Sequence, residues 1–240
     1  MFEDLVRSIK KVLFVPIHPA GWSIIAVFAI VSVFLFFIDD SVGMIGLVLL
    51  GWCVYFFRDP VRHTPVKEGL IISPADGKVC GIESGVSLPK ELDEADDDEN
   101  YTRISVFLNV FNVHVNRVPI EGTIKQVVYT PGKFLNASLD KASEYNERSA
   151  ALVETSDGKH VGFVQIAGLI ARRIICDLKA GQKVDTGEKY GIIRFGSRAD
   201  IYLPKGTNPL VAVGQTMVGG ETVLADLKSK EKRREAIKRV

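Results

Sequence analysis

The sequence predicts a mainly β protein, a sandwich or partly closed barrel with few short helices, preceded by an N-terminal hydrophobic helical hairpin. Three observations predict it. Two uncharged apolar runs, Trp22 to Ile38 and Ser41 to Phe57, stand near the N-terminus. Beyond them, short alternating apolar runs are separated by Gly, Pro, Asn and Asp at strand-like spacing. Of 240 residues, 47% are hydrophobic and 25% charged, which excludes a disordered or fibrous chain.

Each apolar run spans about 25 Å as a helix, slightly short of a hydrocarbon core of roughly 30 Å. The first is too long for a signal-peptide core, and no small-residue cleavage site follows it. Arg7, Lys10 and Lys11 precede the pair, and Arg58, Arg62 and Lys67 follow it, whereas the turn between carries Asp39 and Asp40. The positive-inside rule therefore puts both ends in the cytoplasm. Residues 1–57 are expected to be a membrane-associated helical hairpin, 58–69 a linker and 70–226 a β-rich domain. Residues 227–240 carry seven basic residues against two acidic ones, a solvated helical tail able to touch anionic headgroups. The net charge of +1 gives no global field for nucleic acid.

Strand-length runs follow at Leu70–Ile72, Ile104–Leu108, Thr123–Tyr129, Val161–Ile166, Ile170–Leu178 and Val211–Val213. Only Leu139–Ala150 has helix-like spacing. Glu91–Asn100 holds seven carboxylates without a calcium-loop glycine, and reads as a solvated loop. Cys53, Cys80 and Cys176 are far apart and match no zinc-ligand spacing, so no metal is expected. Lys179–Gly191 and Ala212–Ala225 repeat a Gly-Gln, Gly-Glu turn pattern similar to biotinyl and lipoyl carrier hairpins. Neither presents a lysine at a hairpin tip.

The chemistry concentrates elsewhere. In YGIIRFGSRADIYLP, Tyr190 to Pro204, Gly196-Ser197 breaks two alternating runs. In isolation such a pair is a turn or bulge. G-x-S-x-G is absent, which removes a hydrolase nucleophile elbow. A strained turn offers another use: Ser197 Oγ attacks the unhindered Gly196 carbonyl, moving the acyl group from nitrogen to oxygen. Elimination then cuts the chain, and hydrolysis of the dehydroalanine leaves a pyruvoyl group with loss of ammonia. That ketone can condense with a substrate amine and act as an electron sink. Two further stretches accompany the pair, SPADGKV from Ser73 and FLNVFNVHVNRVP from Phe107.

The ordered set SPADG, FNVHVNRVP and RFGSR resembles the phosphatidylserine decarboxylase proenzyme family, in its shorter prokaryotic branch, over about Arg58 to Ala225. The resemblance implies autocatalytic cleavage between Gly196 and Ser197, giving a large β subunit, 1–196, and a small α subunit, 197–240, that stay together as a heterodimer. It implies a pyruvoyl group generated from Ser197, which forms a Schiff base with the substrate, and conversion of phosphatidylserine to phosphatidylethanolamine and CO2. His114 is implied as proton donor and carboxylate-positioning group, and Asp76 as support for the base of self-cleavage. The longer branch carries H-x-x-H, and Arg117 occupies the second position here, where it can hold a phosphate or carboxylate instead. The anchor then places the enzyme at the cell membrane, with its catalytic domain facing the cytoplasm. Two other readings stand beside it: a decarboxylase of a related phosphoserine ether lipid, and a non-catalytic membrane adaptor with carrier-like hairpins.

Overall fold

The computed structural model describes residues 15–93, 100–132, 145–168, 173–194, 197–234 and 236–237. They fall into two compact units that divide between Val61 and Arg62.

The first unit is helical. A single 3-10 turn, Pro19–Gly21, leads into α1, Trp22–Phe36, and α2 follows as Asp40–Phe56. Asp39 caps α2 through its carboxylate, which accepts from the Ser41 and Val42 N–H groups at 2.8 and 3.3 Å. Small residues let the two helices approach closely. A β-carbon at Gly46 would lie 3.1 Å from Ser32 Cα, and one at Gly43 would run into the Phe36 ring. Phe34, Phe37, Ile38, Ile45 and Val48 remain exposed on the outside. The stretch Pro19–Phe36 is long and apolar enough to cross a membrane; Asp40–Phe56 is apolar but shorter.

The second unit is mainly β, as the alternation predicts. Its strands are β1 Leu70–Ile72, β2 Gly77–Val86, β3 Tyr101–Leu108, β4 Val115–Arg117, β5 Gly122–Thr130, β6 Arg148–Glu154 and β7 His160–Ala167. They continue as β8 Ile174–Cys176, β9 Lys183–Val184, β10 Lys189–Ile193, β11 Ser197–Leu203, β12 Thr216–Met217 and β13 Val223–Asp226. An eight-stranded antiparallel sheet runs β12-β2-β3-β11-β7-β6-β5-β9 and curls as a half-barrel. A second sheet, β4-β10-β8, and the pair β1-β13 complete it.

Alternation assigns the faces. Ile104, Val106, Phe163, Ile201 and Leu203 point into one core cluster together with Val118, Ile120 and Tyr190. The opposite face carries a second cluster around Tyr101, Leu152, Val164 and Tyr202, covered by Leu92 and Leu88. Of the stretch Leu139–Ala150 with helix-like spacing, Tyr145 is helical, Arg148–Ala150 begin β6 instead, and residues 139–144 lie outside the described residues. The basic tail also differs from its expectation. Ser229–Arg234 are not helical, and Arg234 donates its N–H to the Pro209 carbonyl at 3.3 Å.

Candidate active site

Ser197 opens β11 at the centre of the large sheet. It pairs with Leu108 of β3 on one side and Ala167 of β7 on the other. Its neighbours Phe195 and Gly196 lie outside the described residues, so the expected cleavage partner Gly196 carries no structural statement. Ser197 is completely buried, and its Oγ makes no hydrogen bond among the described residues. An orphaned buried hydroxyl forfeits about 1–3 kcal/mol of solvation, which a purely structural serine in a strand has no reason to bear.

The next polar residues show what fixes that position. Arg198 and Asp200 project to the other face and are buried. Arg198 Nε and Nη2 meet the two carboxylate oxygens at 2.6 and 2.9 Å, and Nη2 also reaches Ser105 Oγ at 2.7 Å. Burial alone would lower the guanidinium pKa, but Asp200 outweighs it and the net shift is upward, so this charge is permanent. The clip ties β11 to β3 one residue beyond Ser197.

His114 is positioned from the facing sheet. The turn before it is closed by its own asparagines: Phe111 N–H donates to Asn109 Oδ1 and Asn109 N–H to Asn112 Oδ1, each at 2.9 Å. The imidazole Nδ1 lies 3.0 Å from the Asn112 carbonyl. A carbonyl only accepts, so Nδ1 carries a proton, and in its neutral form the ring keeps its lone pair on Nε2. β4 then pairs with β10, Val115 opposite Ile192 and Arg117 opposite Lys189. The Ile193 N–H reaches the His114 carbonyl at 3.3 Å. The ladder thus brings buried His114 alongside the strand that runs directly towards Ser197.

Asp76 stands in the SPADG turn. Ser73 Oγ donates to the Ala75 carbonyl at 2.7 Å, the Arg117 N–H to the Pro74 carbonyl at 2.9 Å, and the Gly220 N–H to the Ser73 carbonyl at 2.8 Å. Arg62 Nη2 contacts both Asp76 oxygens at 2.9 and 2.8 Å, and the Gly219 N–H adds 2.8 Å to Oδ1. Lys78, Phe107 and Arg198 share one row across β2, β3 and β11. Asp76 therefore lies at the Ser197 end of the sheet, two strand spacings or about 10 Å away along the row. Ala75 packs with Leu108 and Ala199, which links the turn to the serine strand. Close approach explains Gly77, where a β-carbon would sit 2.2 Å from the Phe107 carbonyl oxygen.

Arg117 donates through Nη1 to the Gly187 carbonyl at 3.0 Å, and its stem runs beside Gly220. Three residues escaped the sequence reading. Arg62 lies in the expected linker, and nothing local signals its partner fourteen residues on. Gln165 and Asn116 are fully buried, with Gln165 Nε2 donating to Asn116 Oδ1 at 2.9 Å. Asn116 was findable, since it stands two residues from His114 and shares its strand face. Burial pushes the Cys176 thiol on β8 above its ordinary pKa, which leaves it a weak nucleophile. No cluster of metal-ligating side chains occurs among the described residues.

Comparison with known proteins shows the family to which the chain is similar. A family sequence model described as phosphatidylserine decarboxylase matches residues 49–225. Proteins named phosphatidylserine decarboxylase proenzyme are similar along nearly the whole chain. That of Cereibacter sphaeroides is 57% identical over 234 residues, 98% of both chains. That of Ruegeria pomeroyi is 56% identical over 212 residues, 88% of this chain and 95% of its own. That of Rickettsia akari is 54% identical over 219 residues, 91% and 94% respectively. The chain belongs to the phosphatidylserine decarboxylase family.

Proposed function

We propose that this chain is a self-cleaving proenzyme which, once cut between Gly196 and Ser197, decarboxylates phosphatidylserine to phosphatidylethanolamine and CO2 at a membrane. The reaction and the zymogen character follow from the relatives, which are named as phosphatidylserine decarboxylase proenzymes. The single observation that carries the reading to particular atoms is the buried Ser197 hydroxyl, without a hydrogen-bond partner among the described residues, at the start of a central strand.

A pyruvoyl group fits this place. The walls beside Ser197 are the small or apolar Leu108, Ala167 and Ala199, which leave a planar keto acyl unit room in the serine's stead. Backbone pairing to β3 and β7, with the Arg198–Asp200 clip, would hold it. The group supplies a ketone that takes up the substrate amine and receives the electron pair freed as CO2 departs.

The other residues act around it. For the cut, the proton of Ser197 Oγ must leave as oxygen attacks the Gly196 carbonyl, and the Gly196–Ser197 nitrogen must receive one. His114 Nε2, with its lone pair fixed by the Nδ1 bond, is the proton carrier we assign to that exchange. In turnover the same imidazole delivers a proton to the carbon that lost CO2. Asp76, paired with Arg62, keeps the SPADG turn against the serine strand and so supports the proton carrier's position during self-cleavage. Arg117 braces that turn through its backbone N–H to the Pro74 carbonyl, its Nη1 donates to the Gly187 carbonyl, and its permanent charge suits the phosphate of the headgroup. The product would be a heterodimer of β, 1–196, and α, 197–240. The apolar hairpin would hold it to the cell membrane with the catalytic unit on the cytoplasmic side, helped by the basic tail.

Denaturing electrophoresis with intact mass measurement tests the reading. Two fragments are expected, the small one refractory to Edman degradation and reactive towards ketone reagents. Ser197→Ala should remain one chain and release no CO2 from phosphatidylserine. An intact wild-type chain that still turns over would overturn the mechanism.

A further inference from the structure

We infer that Asn116 and Gln165 form the subsite that tells a serine headgroup from an ethanolamine one, a specificity role resting on the function proposed above. Both side chains are fully buried in the interior between the two sheets. Register puts Gln165 opposite Ala199, hence diagonal to Ser197 on the same inward face of β7 and β11. Such diagonal neighbours are about 7–8 Å apart at Cα, within reach of a glutamine side chain. Asn116 approaches from β4, two residues beyond His114, and pairs with Gln165 across the interior.

The pair is incomplete in a particular way. Gln165 Nε2 donates to Asn116 Oδ1 and, at 3.3 Å, to the Ile175 carbonyl. Asn116 Nδ2 and Gln165 Oε1 find no hydrogen bond among the described residues, nor does Ser197 Oγ. One unused donor and one unused acceptor thus lie in the buried interior towards which the reacting position also points. Buried amides left half satisfied are costly to stability and are retained where a ligand completes them. A phosphoserine headgroup supplies the complement: its carboxylate accepts from Asn116 Nδ2, and its amino nitrogen donates to Gln165 Oε1. Phosphoethanolamine, the product headgroup, has the nitrogen but leaves Asn116 unmatched.

Neutral amides also suit the chemistry. A guanidinium on the carboxylate would stabilise the charged ground state most, just where negative charge is lost on the way to CO2. An amide N–H orients that group with a much weaker grip. Rejection of an analogue lacking the group a buried donor expects is an efficient form of discrimination.

The test uses purified, cut protein in mixed micelles with cyanoborohydride, and reads lipid trapped on the small fragment by intact mass. Phosphatidylserine and phosphatidylethanolamine carry different acyl chains, so each adduct declares its origin even after CO2 is lost. Wild type should trap the serine lipid at least about tenfold over the ethanolamine lipid, one hydrogen bond to a charged group being sufficient for that ratio. In the double variant Asn116→Leu with Gln165→Met, both polar partners are replaced by apolar groups of similar shape, the exchange that folds tolerate best. It should be cut and should trap the two lipids equally. A cut double variant that keeps the wild-type ratio overturns the inference. So does a folded but uncut one, which would assign the amides to self-cleavage. Should that variant not fold, wild type alone decides: the methyl ester of phosphatidylserine should be trapped about tenfold less than the acid, and equal trapping overturns the subsite. A wild-type chain with no cut and no ketone would instead defeat the function proposed above.

Discussion

Asp76 sits in its turn with both carboxylate oxygens against Arg62, the two side chains being only 16% and 12% exposed. Removing the arginine leaves a mostly buried carboxylate with the Gly219 N–H as its remaining described partner. We therefore expect Arg62→Ala to cost about 2–4 kcal/mol, and Arg62→Lys well under half of that, because a lysine restores the charge but not the reach to both oxygens. Denaturant unfolding in the uncut Ser197→Ala background measures this without interference from chain cleavage. With Ser197 restored, Arg62→Ala should also slow the appearance of the two fragments. Unchanged unfolding midpoints would show that the pair contributes nothing. The same pair marks how far the site was legible. Ser197, His114 and Asp76 each stand in a contiguous stretch whose residue types announce a turn, a strand histidine or a strand break. Arg62 and Gln165 do not, because Arg62 meets Asp76, and Gln165 meets Asn116, only once the tertiary fold brings separate segments together. Gly196, the other half of the expected cut, was read from the sequence alone.

Among the elements, the strap Ser87–Asp93 shows how a stretch that looks solvated becomes structural. It lies over the outer cluster through Leu88 and Leu92, and Gln126 Nε2 holds the Glu91 carbonyl at 3.1 Å and Asp93 Oδ1 at 2.6 Å, while residues 94–99 of the expected solvated loop lie outside the described residues. Arg148 on β6 takes the Glu91 carboxylate with Nε and Nη2, the latter at 3.1 Å from Oε2. Burial alone would raise the Glu91 pKa, but the Arg148 contacts outweigh it and the net shift is below the ordinary 4.5. A carboxylate shifted down on folding stabilises the protein above its unfolded value and loses that contribution as pH falls through its folded value. Glu91→Gln should thus cost about 1–3 kcal/mol near pH 7, and the gap to the parent should close progressively below about pH 4.5. A gap that stays constant to pH 3 would remove the ion pair from the explanation. Seven carboxylates in ten residues hid this one, since composition cannot tell a paired glutamate from its solvated neighbours. β6 was hidden for a related reason: Ser149–Val153 are buried on both faces, so the strand loses the period of two by which β3 and β11 were recognised. The two apolar helices were readable from length and composition and β3, β5 and β7 from their runs, whereas the expected strand Val211–Val213 is irregular.

At the scale of the molecule, the position of the proposed cut constrains the order of events. Every strand after residue 196 pairs with a strand before it: β11 lies between β3 and β7, β12 joins β2, and β13 joins β1. Among the described residues, the part from Ser197 onward contains no pair of strands that bond to each other, so alone it has no sheet with which to satisfy its backbone. The larger part without β11 would have its main sheet split at the centre, between β3 and β7. The chain must therefore fold before it cuts, and the cut ends must remain interleaved afterwards. We expect wild-type fragments to elute together at the size of one whole chain in mild detergent and native mass spectrometry, and to separate only on denaturation. After denaturation the two should fail to regain activity, whereas uncut Ser197→Ala should recover its spectroscopic signature on refolding. Co-expression of 1–196 and 197–240 as separate chains should yield neither a pyruvoyl group nor a stable complex, because the bond whose rearrangement creates the ketone never exists in the folded sheet. Fragments that part under native conditions would mean that the pairing of β11 with β3 and β7 does not survive the cut, and with it would go the backbone that keeps the reacting group in place.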